Sequence, residues 1–267
     1  LSYQKKLIET VIDAHKTGKS LADDPTFAEA AAPKKSPAVA TVYAHLEGMM
    51  GWTEFDMKLR DDFIYFTGVC HETDTCFTFM NVLRQQESVE GFPGEALPST
   101  AFYFTKQGVT DWASLLSYGD MQETGVRTSD VRNRNRELSH YLMENAGQEL
   151  VACLFQREDT LQEAAAVLSL SVSDVTEAER MLRSLINTVS AEERGKAPLI
   201  TFCYTANKAY PVYRLPQTTL FTQLTGFAEP TSHTYATFYE GRLLLAPDEN
   251  SLSRYIRQLD KDRKSVV

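Results

Sequence analysis

The chain has 267 residues, 27 basic and 36 acidic, for a formal charge of −9, and 43% of its residues are hydrophobic. That length can bury a sizeable core in one large domain or two smaller ones, and the composition is that of a folded globular chain. The acidic balance argues against a partner bound through a phosphate backbone, and no apolar run reaches the roughly 18 residues of a membrane-spanning helix.

Residues 1 to 16 form an amphipathic pattern, with Leu7, Ile8, Val11, Ile12 and His15 on one side, which predicts a helix stopped by Gly18. Asp24-Pro25 opens a second, short helix. The aspartate accepts an orphan amide bond there, and proline at the first helical position gives up a donor it would not use. Phe27 and the alanines at 30 to 32 form its buried side, and Pro33 and Pro37 bound the following loop.

Ala38 to Leu46 reads as a strand, and Thr53 to Leu59 alternates as a second. Arg60-Asp61-Asp62 turns the chain into a partner strand, Phe63 to Val69. Residues 76 to 86 have helical spacing, so Thr73 or Asp74 is the expected N-cap. Thr100 to Thr105 is an aromatic strand, and Asp111 opens a helix through Leu116. A longer helix over Ser129 to Asn145 carries Arg132, Arg134 and Arg136. With Arg127 these arginines read as an exposed helix face in preference to an anion site.

Glu149 to Gln156 is a strand; Ala164 to Val172 fits strand or helix, with strand preferred. Asp174 to Val189 is a helix with Ala178, Met181, Leu182, Leu185 and Ile186 inward. Leu199 to Thr205 and Tyr210 to Leu215 form a strand pair, and Thr218 to Leu224 a short helix. His233 to Tyr239 and Arg242 to Ala246 form a hairpin turning at Glu240-Gly241, before a final helix from Asn250 or Ser251. Hairpins alternating with short helices predict the α+β class, with antiparallel sheets covered by helices. They form one continuous domain or two similar subdomains divided near residue 125. Gly18-Lys19-Ser20 lacks the upstream glycine and strand of a phosphate-binding loop.

The two ends resemble each other. Leu7 to Leu21 aligns without gaps on Leu252 to Val266, matching Leu7 with Leu252, Val11 with Ile256 and Lys16 with Lys261. As a repeat, this places the hairpin preceding the first copy upstream of Leu1, and the absence of an initial methionine reads as a trimmed piece of a longer array.

The stretch TFYEGRLLLAPDENSLSRYIRQL (Thr237 to Leu259) resembles a recurrent hairpin-helix motif in a family of uncharacterised extracytoplasmic envelope proteins of Bacteroidetes-type bacteria, a domain of unknown function. GKSLADDPTFAEA (Gly18 to Ala30) is similar to that family's continuation. TDTCFTFMNVLRQQ followed by LPSTAFYF (Thr73 to Gln86, Leu97 to Phe104) is similar to its helix and strand entry. The three patches cover about a third of the chain. The resemblance implies an extracytoplasmic location, in the periplasm or cell envelope, with membrane attachment only through a segment outside this chain. It supplies no catalytic residues, and chain-wide cysteines are not part of its pattern.

CHETDTC (Cys70 to Cys76) is the densest cluster of chemistry-bearing residues. A structural zinc site takes four ligands, usually two close pairs, and no second pair accompanies Cys70, His71 and Cys76. Adjacent residues on an extended chain also point to opposite faces. A Cys70–Cys76 disulfide and a capping turn with two semi-buried thiols both stay open and are compatible. Cys153, Cys203, His45, His140 and His233 are isolated, and Asp23-Asp24, Asp61-Asp62 and Glu192-Glu193 fall in turns or caps.

Aromatic residues concentrate on strands. Tyr103, Tyr204, Tyr210, Tyr213, Tyr235 and Tyr239 are candidates for a binding surface, against the ordinary reading of sheet packing. The functional expectation is a non-enzymatic structural or binding module of the cell envelope, holding a protein or glycan partner, with no cofactor, no metal and no nucleic acid. The alternative is an extracytoplasmic hydrolase or ligand-binding enzyme acting through acidic residues or through Cys70 and His71.

Overall fold

The computed structural model describes residues 4–18, 20–32, 38–72, 78–122, 129–156, 164–189, 200–205, 208–215, 218–225 and 234–265. Its class is α+β, with two antiparallel sheets of three and seven strands. The chain divides into two compact units, Leu1–Gln85 and Gln86–Val267. The division falls well before residue 125. The aromatic strand and the helix after Asp111, read from sequence as parts of the first half, belong to the second unit.

In the first unit α1 spans Lys5–Lys16 and α2 Pro25–Ala30. Asp24 caps α2 as expected, its Oδ1 accepting from the amides of Thr26 at 2.9 Å and Phe27 at 3.2 Å. Strands β1 (Ala40–Leu46), β2 (Met50–Leu59) and β3 (Ile64–His71) form the meander β1-β2-β3. A side chain at Gly68 would meet the backbone, because a Cβ there falls 1.9 Å from the carbonyl oxygen of Glu54. Helix α3 (Phe79–Arg84) starts later than predicted. Its N-cap is Thr78, whose hydroxyl accepts from the Asn81 amide at 3.2 Å; Thr73 and Asp74 lie outside the described residues.

The second unit contains β4 (Ala101–Gly108), α4 (Trp112–Gln122), α5 (Ser129–Asn145), β5 (Ala146–Gln156), β6 (Ala164–Val172) and α6 (Val175–Val189). These are followed by β7 (Ile200–Tyr204), β8 (Ala209–Leu215), α7 (Leu220–Thr225), β9 (Thr234–Tyr239), β10 (Arg242–Ala246) and α8 (Glu249–Ser265). The helix after Asp111 runs to Gln122, beyond the predicted Leu116. The β9–β10 hairpin turns at Glu240 (φ 47°) and Gly241 (φ 79°). Two successive positive φ values suit a two-residue turn that follows the twist of the flanking strands.

The sheet order is β4-β5-β6-β10-β9-β8-β7, and every pairing is antiparallel. Directly opposed residues share a face, so the register sorts side chains into two layers. On one face Phe155, Val167, Val212, Tyr239 and Leu244 pack beneath Leu252, Tyr255, Ile256 and Leu259 of α8. Burying those four helix side chains contributes on the order of 6–12 kcal/mol, an upper estimate that takes the unfolded chain as fully extended. On the other face Leu243, Leu245 and Leu215 meet Leu138, Leu142 and Leu182 from α5 and α6. The central strands are therefore covered on both sides. The α1 stripe matched in sequence to α8 is not buried at all: Leu7 and Val11 are exposed, while Leu252 and Ile256 are fully buried.

Candidate functional site

Around CHETDTC, the pleat separates the two residues that would have to cooperate. Cys70 lies opposite Thr53 and His71 opposite Trp52, so the thiol and the imidazole leave β3 on different faces. Cys70 carries a free thiol; Cys76 lies outside the described residues. His71 turns toward α2 and sits between two carboxylates, its Nδ1 3.7 Å from Glu29 Oε1 and its Nε2 3.8 Å from Glu54 Oε1. Glu72 accepts at Oε1 from the Gly51 amide at 3.1 Å and from the Thr78 hydroxyl at 2.5 Å, tying the end of β3 to the start of α3.

The same face holds Trp52, whose indole N–H donates to Asp24 Oδ2 at 2.9 Å and whose ring meets Phe27 edge-on. These hydrogen bonds, that from the Thr26 hydroxyl first, hold the Asp24 carboxyl down at about 2. The cluster docks α2 on the sheet. Among the described residues no group of three His, Cys, Asp or Glu side chains is placed to hold a metal ion.

The six strand tyrosines do not share a surface. Tyr210, Tyr213 and Tyr239 are buried, and Tyr235 packs against the core beneath α8. Tyr213 and Tyr210 also point to opposite faces of β8. The Tyr213 hydroxyl donates to Glu179 and accepts from Arg183 Nε at 2.8 Å, which carries α6 as far across the sheet as β8. Tyr103 and Tyr204 are exposed, but they stand on β4 and β7, the two opposite edges.

What the structure does bring together is an apolar stripe on β7. Ile200, Phe202 and Tyr204 alternate onto one face at 42%, 52% and 63% exposure, one strand beyond the reach of α6. Between them Cys203, on the other face, is buried against α8. The strand is therefore held from behind and apolar in front, and its outer edge pairs with no other strand among the described residues. Alternation alone could have identified this stripe in sequence, but not that β7 is an edge. The β4 edge differs. Its exposed Phe102, Tyr103 and Phe104 lead to Lys106, whose ammonium donates to the carbonyls of Val89, Glu90 and Gly91. That loop runs beside the second half of the strand.

A further groove, of about 630 Å³, lies between α5 and α6, with Tyr141, Met181 and Leu185 as an apolar floor and Arg136, His140 and Glu144 among its rim. His140 and Glu144 pair across one turn at 3.2 Å. Among the described residues, no helix is long and apolar enough to cross a membrane. No family model matches the sequence, and neither a curated protein nor a solved structure matches it.

Proposed function

We propose that this protein is a non-catalytic binding module of the bacterial cell envelope, which takes up an extended segment of a partner protein along β7. The observation that carries the reading is the stripe of Ile200, Phe202 and Tyr204 on a strand whose reverse side is fixed in the core. An added strand satisfies the free backbone groups of an edge, and alternate side chains fill the apolar surface beside it. A glycan would stack on the rings but could not continue the hydrogen-bonded ladder. Because β7 is already ordered, little conformational entropy is lost on binding. The extracytoplasmic setting rests on the family resemblance of the hairpin-helix stretch.

Selection of extended peptides from a display library against the whole chain tests the reading. Enriched peptides should alternate apolar residues and protect the amides of β7 from hydrogen exchange. Failure to enrich peptides, or binders indifferent to substitution on β7, would refute it. Protease accessibility in intact and permeabilised source cells checks the location.

A further inference from the structure

Arg214 lies near the end of β8, across from Tyr235 of β9, and the register sends its side chain to the face covered by α8, the same face as Val212. It is only 8% exposed, and its Nε and Nη2 are buried with no hydrogen-bond partner among the described residues. A guanidinium stays protonated at every pH a protein tolerates, so it cannot escape burial by losing its charge. An unpaired charge in a protein interior is strongly unfavourable.

Arg242, 19% exposed, shows how most of that need is met: its Nη1 reaches Glu149 at 2.7 Å and its Nε donates to Ser169 Oγ at 2.5 Å, which leaves only Nη2 without a partner among the described residues.

The two unsatisfied donors also specify what is missing. Nε–H and Nη2–H form the parallel fork on one side of the guanidinium, which matches the two oxygens of a carboxylate. On the adjacent strand β7, Thr201 lies opposite Val212, and so on the same face, diagonal to Arg214. Its hydroxyl is likewise buried without a partner among the described residues. Diagonal neighbours on a sheet stand about 7–8 Å apart, near enough for one small anion to touch both side chains.

We propose that Arg214 and Thr201 form a carboxylate-binding site, in which the fork of Arg214 holds both oxygens and the Thr201 hydroxyl donates a further bond. The carboxylate comes from a small organic acid or from an acidic side chain or C-terminus of a peptide. Neither donor of the fork touches solvent, so entry requires local opening of the cover. The site lies on the face opposite to Phe202 and stands independently of the β7 reading.

The test follows the arginine Nε–H resonances of the whole ¹⁵N-labelled chain, with that of Arg214 assigned by its loss in Arg214→Lys. Sodium acetate, sodium chloride at equal ionic strength, and a short acidic peptide are titrated in turn. The Arg214 signal is expected to shift saturably with acetate or the peptide and not with chloride. Arg214→Lys should weaken binding by about tenfold, because a lysine has no fork. A response to acetate assigns a free acid, and one confined to the peptide assigns a partner's carboxylate. Arg214→Met should unfold no more readily than the parent, since it removes a buried charge. Two results would overturn the proposal. One is an Arg214 signal indifferent to both acetate and peptide; the other is an Arg214→Met chain whose unfolding constant rises by more than about tenfold, which would reveal an internal counter-charge. Phe202→Ala should leave the acetate titration unchanged, which separates this site from the edge strand.

Discussion

Truncation of Phe202 is the most direct probe of the proposed partner surface. The side chain is 52% exposed. An aromatic residue presents about 150–250 Å² in all, so roughly 100 Å² is left for a partner to cover. At about 25 cal/mol per Å², that area contributes on the order of 2.5 kcal/mol to binding, or about 60-fold in Kd. Alanine retains a methyl group, and fixing the ring carries some entropy, so the expected loss for Phe202→Ala is about 10- to 60-fold. Fluorescence anisotropy with a labelled peptide selected on the whole chain measures it directly. The same variant should unfold in urea within about 0.5 kcal/mol of the parent, because the ring is not a core side chain. The matching truncation of Phe102 on β4 should leave Kd unchanged. An affinity for Phe202→Ala within about twofold of the parent would refute the argument, as would a loss matched by an equal loss of stability.

Four further outcomes are expected. Asn135 is buried, donating to Thr219 Oγ1 at 2.7 Å and accepting from the Thr218 hydroxyl at 2.9 Å and the Thr219 amide at 3.2 Å. Asn135→Ala removes all three bonds and strands their partners, so the urea midpoint should fall by an amount equivalent to about 2–4 kcal/mol at unchanged slope. Burial pushes the Cys153 thiol up to about 12, so alkylation of the native chain followed by mass analysis should modify Cys70 before Cys153 or Cys203.

Burial also raises the hydroxyls of Tyr141, Tyr213 and Tyr255 above their ordinary value of 10.0. Groups raised in the folded state contribute fully below their unfolded pKa and lose that contribution as pH rises. Circular dichroism should therefore show unfolding setting in above about pH 10, and Tyr255→Phe should move that onset upward. Asp24 runs the other way. Its carboxyl is depressed to about 2, so its contribution holds above the ordinary carboxylate pKa and fades as pH falls through about 2. Trp52 fluorescence should change over that acid range in the parent and not in Asp24→Asn.

Features legible in the sequence are those set by neighbours along the chain. Asp24 before Pro25 announces the α2 cap, and Asp174 accepts from the amides of Thr176 and Glu177 at the start of α6. Glu240-Gly241 marks a hairpin because its short-range stereochemistry admits few alternatives. Of the α6 stripe, Ala178, Leu182 and Ile186 are buried as their spacing predicts, whereas Met181 and Leu185 are half-buried and floor the groove beside α5. The start of α3 is not legible in the same way, because Thr73, Asp74 and Thr78 all carry side chains suited to capping and propensity does not rank them.

The candidate surface was less legible. Alternation predicts that a strand shows one face to the core and one to solvent, which makes the six tyrosines candidates for a surface beside the ordinary reading of sheet packing. A central strand with helices on both sides has no solvent face, so Tyr210, Tyr213 and Tyr239 are buried. Only the edges keep their aromatic residues exposed. Arg214 is not legible for a related reason, since an arginine on a strand ordinarily reads as solvated.

By itself, then, the sequence determined the order of helices and strands, the caps of α2 and α6 and the α+β class, because propensity, capping and periodicity act within a few residues. Tertiary structure alone decided that β4 joins the seven-stranded sheet by pairing with β5, and that the chain divides at Gln85–Gln86. It alone made β7 an edge and closed Arg214 off from solvent. Strand order and burial arise from pairings between residues far apart in the chain, and no local pattern encodes which neighbour a strand will find.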